Sequence, residues 1–185
     1  MKFLDKLLRT WRVKVALNHA PSGMTSAFDI GCDEGFLLKQ LAPSVTLKAG
    51  IDPRLDQTRL ADGMTLIKGF FPEALAAHPD LGPFDAIFSL AVFEHFSEEA
   101  LQASANAIST MLKPNGRLIV TVPHPFVDQI LDVLLWLHLI DGQATEEHHG
   151  FNPEDLEKYL SKTLRLVSTQ RFQLGLNYVF VFEKQ

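Results

Sequence analysis

Asp29, Gly31, Asp33, Glu34 and Gly35 crowd one short stretch, Phe28-Asp29-Ile30-Gly31-Cys32-Asp33-Glu34-Gly35. An apolar run enters it, two glycines flank a bend, and Phe36, Leu37, Leu38 and Leu41 follow at helical spacing. The pattern predicts a strand, a glycine turn and the start of a helix. Glycine takes positive φ without steric cost and lets a ligand approach the backbone. A helix N-terminus behind the turn would add unpaired N–H groups. The fingerprint G-x-G-x-x-G, which cradles a pyrophosphate, would need glycine at 33 and 36, where Asp33 and Phe36 stand. Carboxylates at Asp29, Asp33 and Glu34 disfavour a dianionic phosphate and tolerate a cationic or zwitterionic ligand. Asp33 is expected to make that pocket more acidic.

Histidines are the side chains that titrate near neutral pH and the first candidates for proton transfer. His95 and His124 follow apolar runs at residues 84–90 and 117–122, and His148 and His149 sit in a polar stretch beyond. Any one of them is more often a packed or solvated side chain than a base, and it is their shared position past predicted strands that groups them. No His-x-x-x-His or carboxylate pair has ligand spacing on one element, so no metal site is expected. Cys32 is the only cysteine, which excludes a disulfide framework and a Cys-rich zinc site. It belongs to the glycine loop and reads as a spectator there.

The elements that must position these groups follow from periodicity. Residues 2–17 place Leu4, Leu7, Leu8, Trp11 and Val15 on one helical face, with basic residues around the rest. Such a helix can lie on an anionic membrane surface, but the favoured reading is a helix that docks on the domain or covers its ligand. Residues 45–51 predict a second strand running into Asp52, residues 65–68 a short third, 84–90 a buried fourth and 117–122 a fifth. Asp52 lies near the ~20-residue spacing at which an acid ending the second strand can accept both hydroxyls of a ribose. Phe70 and Phe71 follow the third strand, and Ser89 lies near the end of the fourth. Two adjacent aromatics there are more often core than ligand contacts. Ser97 is placed to cap a helix to about residue 112. Strands at 164–172 and 176–182 meet at Gly175 as an antiparallel edge pair. Together these predict a doubly wound α/β sheet of seven mostly parallel strands, with ligands outside their carboxyl ends. The chain reads as one domain, 1–185, with an N-terminal helix within 1–25 and an apolar, lid-like insertion at 123–150 that contains Trp136.

Composition agrees with that reading. The chain has 185 residues, 46% of them apolar, and a net charge of -5. It can bury one sizeable core, and its acidity makes an extended phosphate backbone a poor partner, so nucleic acid is not expected. The longest apolar run, 130–140, is broken by Asp132 and His138 and is shorter than the ~20 residues of a spanning helix. No secretory signal is visible, and a reducing, cytoplasmic setting is the default.

Asp29-x-Gly31-x-x-x-Gly35 resembles the nucleotide-binding motif of class I S-adenosylmethionine-dependent methyltransferases, with Asp33 in place of that family's third glycine. The strand order supports the resemblance independently over residues 26–183. The resemblance implies a Rossmann-like fold and S-adenosylmethionine as cofactor, held around Asp29, Gly31, Cys32, Asp33 and Gly35. It further implies that Asp52 takes the ribose, that Phe70 or Phe71 meets the adenine, and that Ser89 lies beside the cofactor. Residues 84–89 followed by Leu90-Ala91-Val92-Phe93-Glu94-His95 resemble the fourth-strand motif of the small-molecule branch, which often ends in Glu-His. Met111-Leu112-Lys113-Pro114-Asn115-Gly116 resembles the approach to its fifth strand. The fourth strand does not run into Asn/Asp-Pro-Pro-aromatic, nor does a cysteine follow it for covalent catalysis on a base. The implied activity is methyl transfer to a small, partly apolar acceptor, with His95, His124 and His149 as candidate bases and the insertion excluding water. Two other readings stay open: a non-catalytic S-adenosylmethionine-binding module, and a nicotinamide-dependent oxidoreductase on a similar sheet.

Overall fold

Each strand expected within residues 26–182 is present in the computed structural model, which describes residues 3–124, 153 and 156–184. In chain order the strands are β1 (Ser26–Ile30), β2 (Leu47–Asp52), β3 (Arg59–Ala61), β4 (Met64–Lys68), β5 (Phe84–Leu90), β6 (Leu112–Pro123), β7 (Leu164–Phe172) and β8 (Asn177–Lys184). They form one sheet in the order β3-β4-β2-β1-β5-β6-β8-β7. From β4 to β6 the neighbours are parallel; β3, β8 and β7 are each antiparallel to the strand inside them. The expected mostly parallel sheet and its C-terminal edge hairpin are therefore present. The strand count rises from seven to eight, because β3 adds a three-residue edge strand.

Alternating side chains divide the core into two layers. On one face Phe28, Ile30, Phe84, Ile87, Leu118 and Val120 pack beneath α2 (Glu98–Met111) and α3 (Leu156–Leu160), which contribute Leu101, Ala105, Ile108 and Leu160. On the other, Ala27, Phe88, Ile119 and Val179 pack beneath Val13 and Ala16 of α1 (Phe3–Asn18). α1 thus docks on the sheet, but not by the whole face the sequence pattern marks: Val13 and Ala16 are buried, whereas Leu7 and Trp11 are 51% and 41% exposed. Ser97 caps α2 by accepting the Ala100 N–H at 3.2 Å. Among the described residues no helix is long and apolar enough to cross a membrane.

The helix expected behind the glycine turn does not form. Residues 33–37 make successive turns that close in a 3-10 turn at Leu38–Gln40. Asp33 and Gly35 both have positive φ, at 48° and 76°, and Pro43 stands a few residues on. Too few residues with helical φ remain between them for an α-helix. The N–H groups of a helix N-terminus are accordingly not what this loop offers a ligand. The insertion beyond His124, with Trp136, His148 and His149, lies outside the described residues.

At the other end of the sheet, Asp85 locks β1 to β5. Its Oδ2 accepts the Thr25 and Ser26 N–H groups at 2.8 and 3.0 Å, and its Oδ1 accepts Lys113 Nζ at 2.9 Å. Burial works to raise the Asp85 pKa, but the Thr25 N–H, Lys113 and the Ser26 and Thr25 hydroxyls outweigh it and hold the group well below the usual carboxylate range. The staple fixes the relative height of the two strands whose far ends carry the site.

Candidate functional site

The chain runs outward from β1 through β2 to β4 on one side and through β5 to β6 on the other, so the switch point lies between β1 and β5. Open α/β sheets bind ligands at such a point. There the turn after β1 is strapped to β2. Gly31 N–H and Cys32 N–H donate to the Ile51 carbonyl at 2.8 and 3.2 Å, and Asp33 N–H donates to Asp52 Oδ2 at 2.9 Å. Gly31 has φ 76°, and a Cβ there would stand 2.4 Å from Val92 Cγ2; the turn and the segment after β5 can touch only because the residue is glycine. Asp33 takes the left-handed backbone at φ 48°. Aspartate enters that region more readily than most residues, so it supplies the bend of the absent glycine.

Asp52 ends β2 with 1% of its surface exposed. Besides Asp33, it accepts the Arg54 N–H on Oδ1 at 2.8 Å. Each carboxylate oxygen thus has one backbone donor and keeps a lone pair for another. Asp29 is also buried. Burial foremost, then the negative charges of Asp52 and Asp33, push its pKa well up. The two exposed acids of the loop are paired: Asp33 Oδ2 meets Arg9 Nη1 from α1 at 3.2 Å, and Glu34 meets Arg59 from β3. The charge of Asp33, which still raises the Asp29 pKa, is thus also met by an arginine, whose guanidinium stacks 3.6 Å over the Phe36 ring.

These groups open onto a cleft of about 1010 Å³. Asp29, Gly31, Cys32, Asp33 and Asp52 form its central wall, Phe70 and Phe71 its β4 side, and His95 its β5 side. Phe70 is 72% exposed. Phe71 is buried, with its ring 6.2 Å from that of Phe28, and serves the core as well as the wall. Burial, then Asp29 and Asp52, pushes the Cys32 thiol far up, so it is no nucleophile.

Three expected positions are not on the cleft wall. Gly35 faces away, toward Met64, and its N–H closes a turn on the Cys32 carbonyl. Ser89 is fully buried within the sheet. His124 stacks on Tyr178 with ring centroids 5.4 Å apart and gives its backbone N–H to Leu176, past the end of β6. His149 lies outside the described residues.

The sequence reading allowed α1 to cover a ligand but named none of its residues in the site. Arg9 and Arg12 line it together with Val13. Their three-residue spacing beside the apolar stripe was the available signal. Arg12 faces Glu94, in the turn after β5, electrostatically. Burial lowers the Arg12 pKa against the pull of Glu94. Burial also pushes the Glu94 carboxyl up to about 7, against its own backbone N–H and Arg12.

Comparison with solved structures shows the same fold at low identity. N-methyltransferase NodS from Bradyrhizobium japonicum, in complex with S-adenosyl-L-homocysteine, superposes with a TM-score of 0.67 at 15% identity, covering 95% of this chain and 86% of that one. A TehB-like S-adenosylmethionine-dependent methyltransferase from Corynebacterium glutamicum gives 0.61 at 16% identity, covering 94% and 87%. A ferrochelatase from Thermoplasma volcanium is 26% identical over 126 residues, 62% of this chain; the chain spans 40% of that protein's length. Residues 3–163 match the family model described as a methyltransferase domain. With the greater part of the chain matched, from α1 to the start of β7's approach, the protein belongs to the methyltransferase domain family.

Proposed function

We propose that the protein is an S-adenosylmethionine-dependent methyltransferase acting on a small, partly apolar acceptor in a reducing, cytoplasmic setting. The observation that carries the reading is Asp52. It is a buried carboxylate at the switch point, fixed by two backbone N–H groups, with one lone pair on each oxygen still available to a pair of vicinal hydroxyls. The rest of the cleft fits the remainder of the cofactor. Gly31 and Asp29 line the centre, where a zwitterionic tail would lie, and the exposed Phe70 offers a ring face for an adenine.

When bound, S-adenosylmethionine supplies a methyl group on a sulfonium, open to in-line displacement. The protein's task is then alignment. Gly31 and Val92, close together, form the floor between the turn and β5, and Val92 with Phe96 gives the β5 side an apolar lining. His95, exposed on that side, is the candidate to take a proton from an acceptor that must lose one. Gly35, Ser89 and His124 have no part in the reading.

Incubation with labelled S-adenosylmethionine and a broad metabolite panel tests it. Label transfer that is lost in Asp52→Ala supports the reading. Cofactor binding with no transfer to any acceptor would instead favour a binding module.

A further inference from the structure

Arg9 and Arg12 both reach the cleft from α1, and the Nε of each is buried without a hydrogen-bond partner, but only Arg9 has an ion pair. Its guanidinium holds Asp33 and covers Phe36. Arg12 makes none of the ion pairs formed among the described residues, and its Nε is shut off from solvent without a hydrogen-bond partner. A buried guanidinium N–H without an acceptor is costly, and the planar fork that Arg12 brings to the cleft fits a carboxylate bidentately. We propose that Arg12 anchors a carboxylate of the methyl acceptor, which makes the acceptor a small carboxylic acid. The inference rests on the methyltransferase reading of the cleft.

Position argues for the acceptor. The charge that couples to Arg12 is Glu94, in the turn after β5. Arg12 therefore serves the β5 side, with Val92, His95 and Phe96. Glu94, raised to about 7 by burial, leaves much of the Arg12 charge uncancelled at neutral pH. One arginine beside Glu94 suits a monoanion better than a phosphate dianion.

The test is calorimetry on protein saturated with S-adenosylhomocysteine, titrated with benzoate, phenylacetate and octanoate and with the primary amide of each. The wild type should bind at least one acid about tenfold more tightly than its amide. Arg12→Met should erase that preference, Arg12→Lys should keep part of it, and both should bind S-adenosylhomocysteine within about twofold of wild type, since no cofactor contact is removed. Equal binding of acids and amides by the wild type would overturn the proposal. So would an Arg12→Met variant that binds S-adenosylhomocysteine poorly but 5′-methylthioadenosine normally, because that assigns Arg12 to the cofactor's own carboxylate. Failure of the methyltransferase reading shows separately, as no binding of S-adenosylhomocysteine by the wild type; the acid preference is then measured on the protein alone.

Discussion

Asp33 holds a left-handed backbone and an ion pair at once, and substitution separates the two. Asp33→Gly relaxes a backbone worth about 1 kcal/mol and removes a partly exposed pair worth less than about 1 kcal/mol. Its urea midpoint should stay near wild type, with cofactor affinity within a few-fold. A large loss of affinity would show that the carboxylate touches the ligand. Asp52→Ala, in contrast, orphans two backbone donors and the proposed ribose contact, so calorimetry should find cofactor affinity down by about an order of magnitude or more, the ~1.5–3 kcal/mol of charge-assisted hydrogen bonds. Glu94 sets a pH dependence. Its folded pKa of about 7 exceeds the ordinary 4.5, so the native state keeps a proton that the unfolded chain releases. Unfolding free energy should fall as pH rises from about 4.5 to about 7 and then level off. Asp29, whose pKa is raised, contributes with the same sign, and Asp85, whose pKa is lowered, with the opposite one, so it is the difference between wild type and Glu94→Gln that isolates Glu94. Equal pH slopes in the two proteins would refute the assignment. Asp29, Gly31 and Asp52 were legible because their spacing is local to two strand ends. The arginines that meet Asp33 and Glu34 come from α1 and β3, and no local pattern announces a pairing made by tertiary packing.

At the scale of elements, legibility followed length and burial. β5 and β7 have the predicted boundaries, since a run of buried β-prone residues between turn signals has few alternatives. β3 is three residues with no buried position, so it carries no period to detect. The residues after Gly35 have helical spacing but not the length to use it. α1 was legible as an amphipathic helix, while its role in the cleft depends on how it is held. Gln173, buried in the turn between β7 and β8, donates to the Leu8 carbonyl at 2.8 Å and accepts Asn177 Nδ2 at 2.7 Å. Gln173→Ala removes the tie to α1 and leaves Asn177 Nδ2 without that acceptor, which should cost about 1–3 kcal/mol. Hydrogen exchange should quicken in α1 while β1 and β5 keep their protection. Unchanged exchange in α1 would mean that Val13 and Ala16 alone hold the helix.

Across the whole molecule, the sheet order places the ends of β1, β2 and β5 around one crevice, and α1 closes it from above with two arginines. The acids first read as a free negative field are divided: Asp33 and Glu34 are met by arginines, and only Asp29 and Asp52 stay buried at the strand ends. What selects the ligand is then the fixed geometry of Asp52 and the glycine turn more than bulk acidity. The central claim is that this crevice holds S-adenosylmethionine. Isothermal titration of the folded protein with S-adenosylhomocysteine, with reduced nicotinamide dinucleotide as the comparison, tests it most directly. The account predicts one S-adenosylhomocysteine bound per chain and no dinucleotide; no heat from S-adenosylhomocysteine, or tighter binding of the dinucleotide, would contradict it.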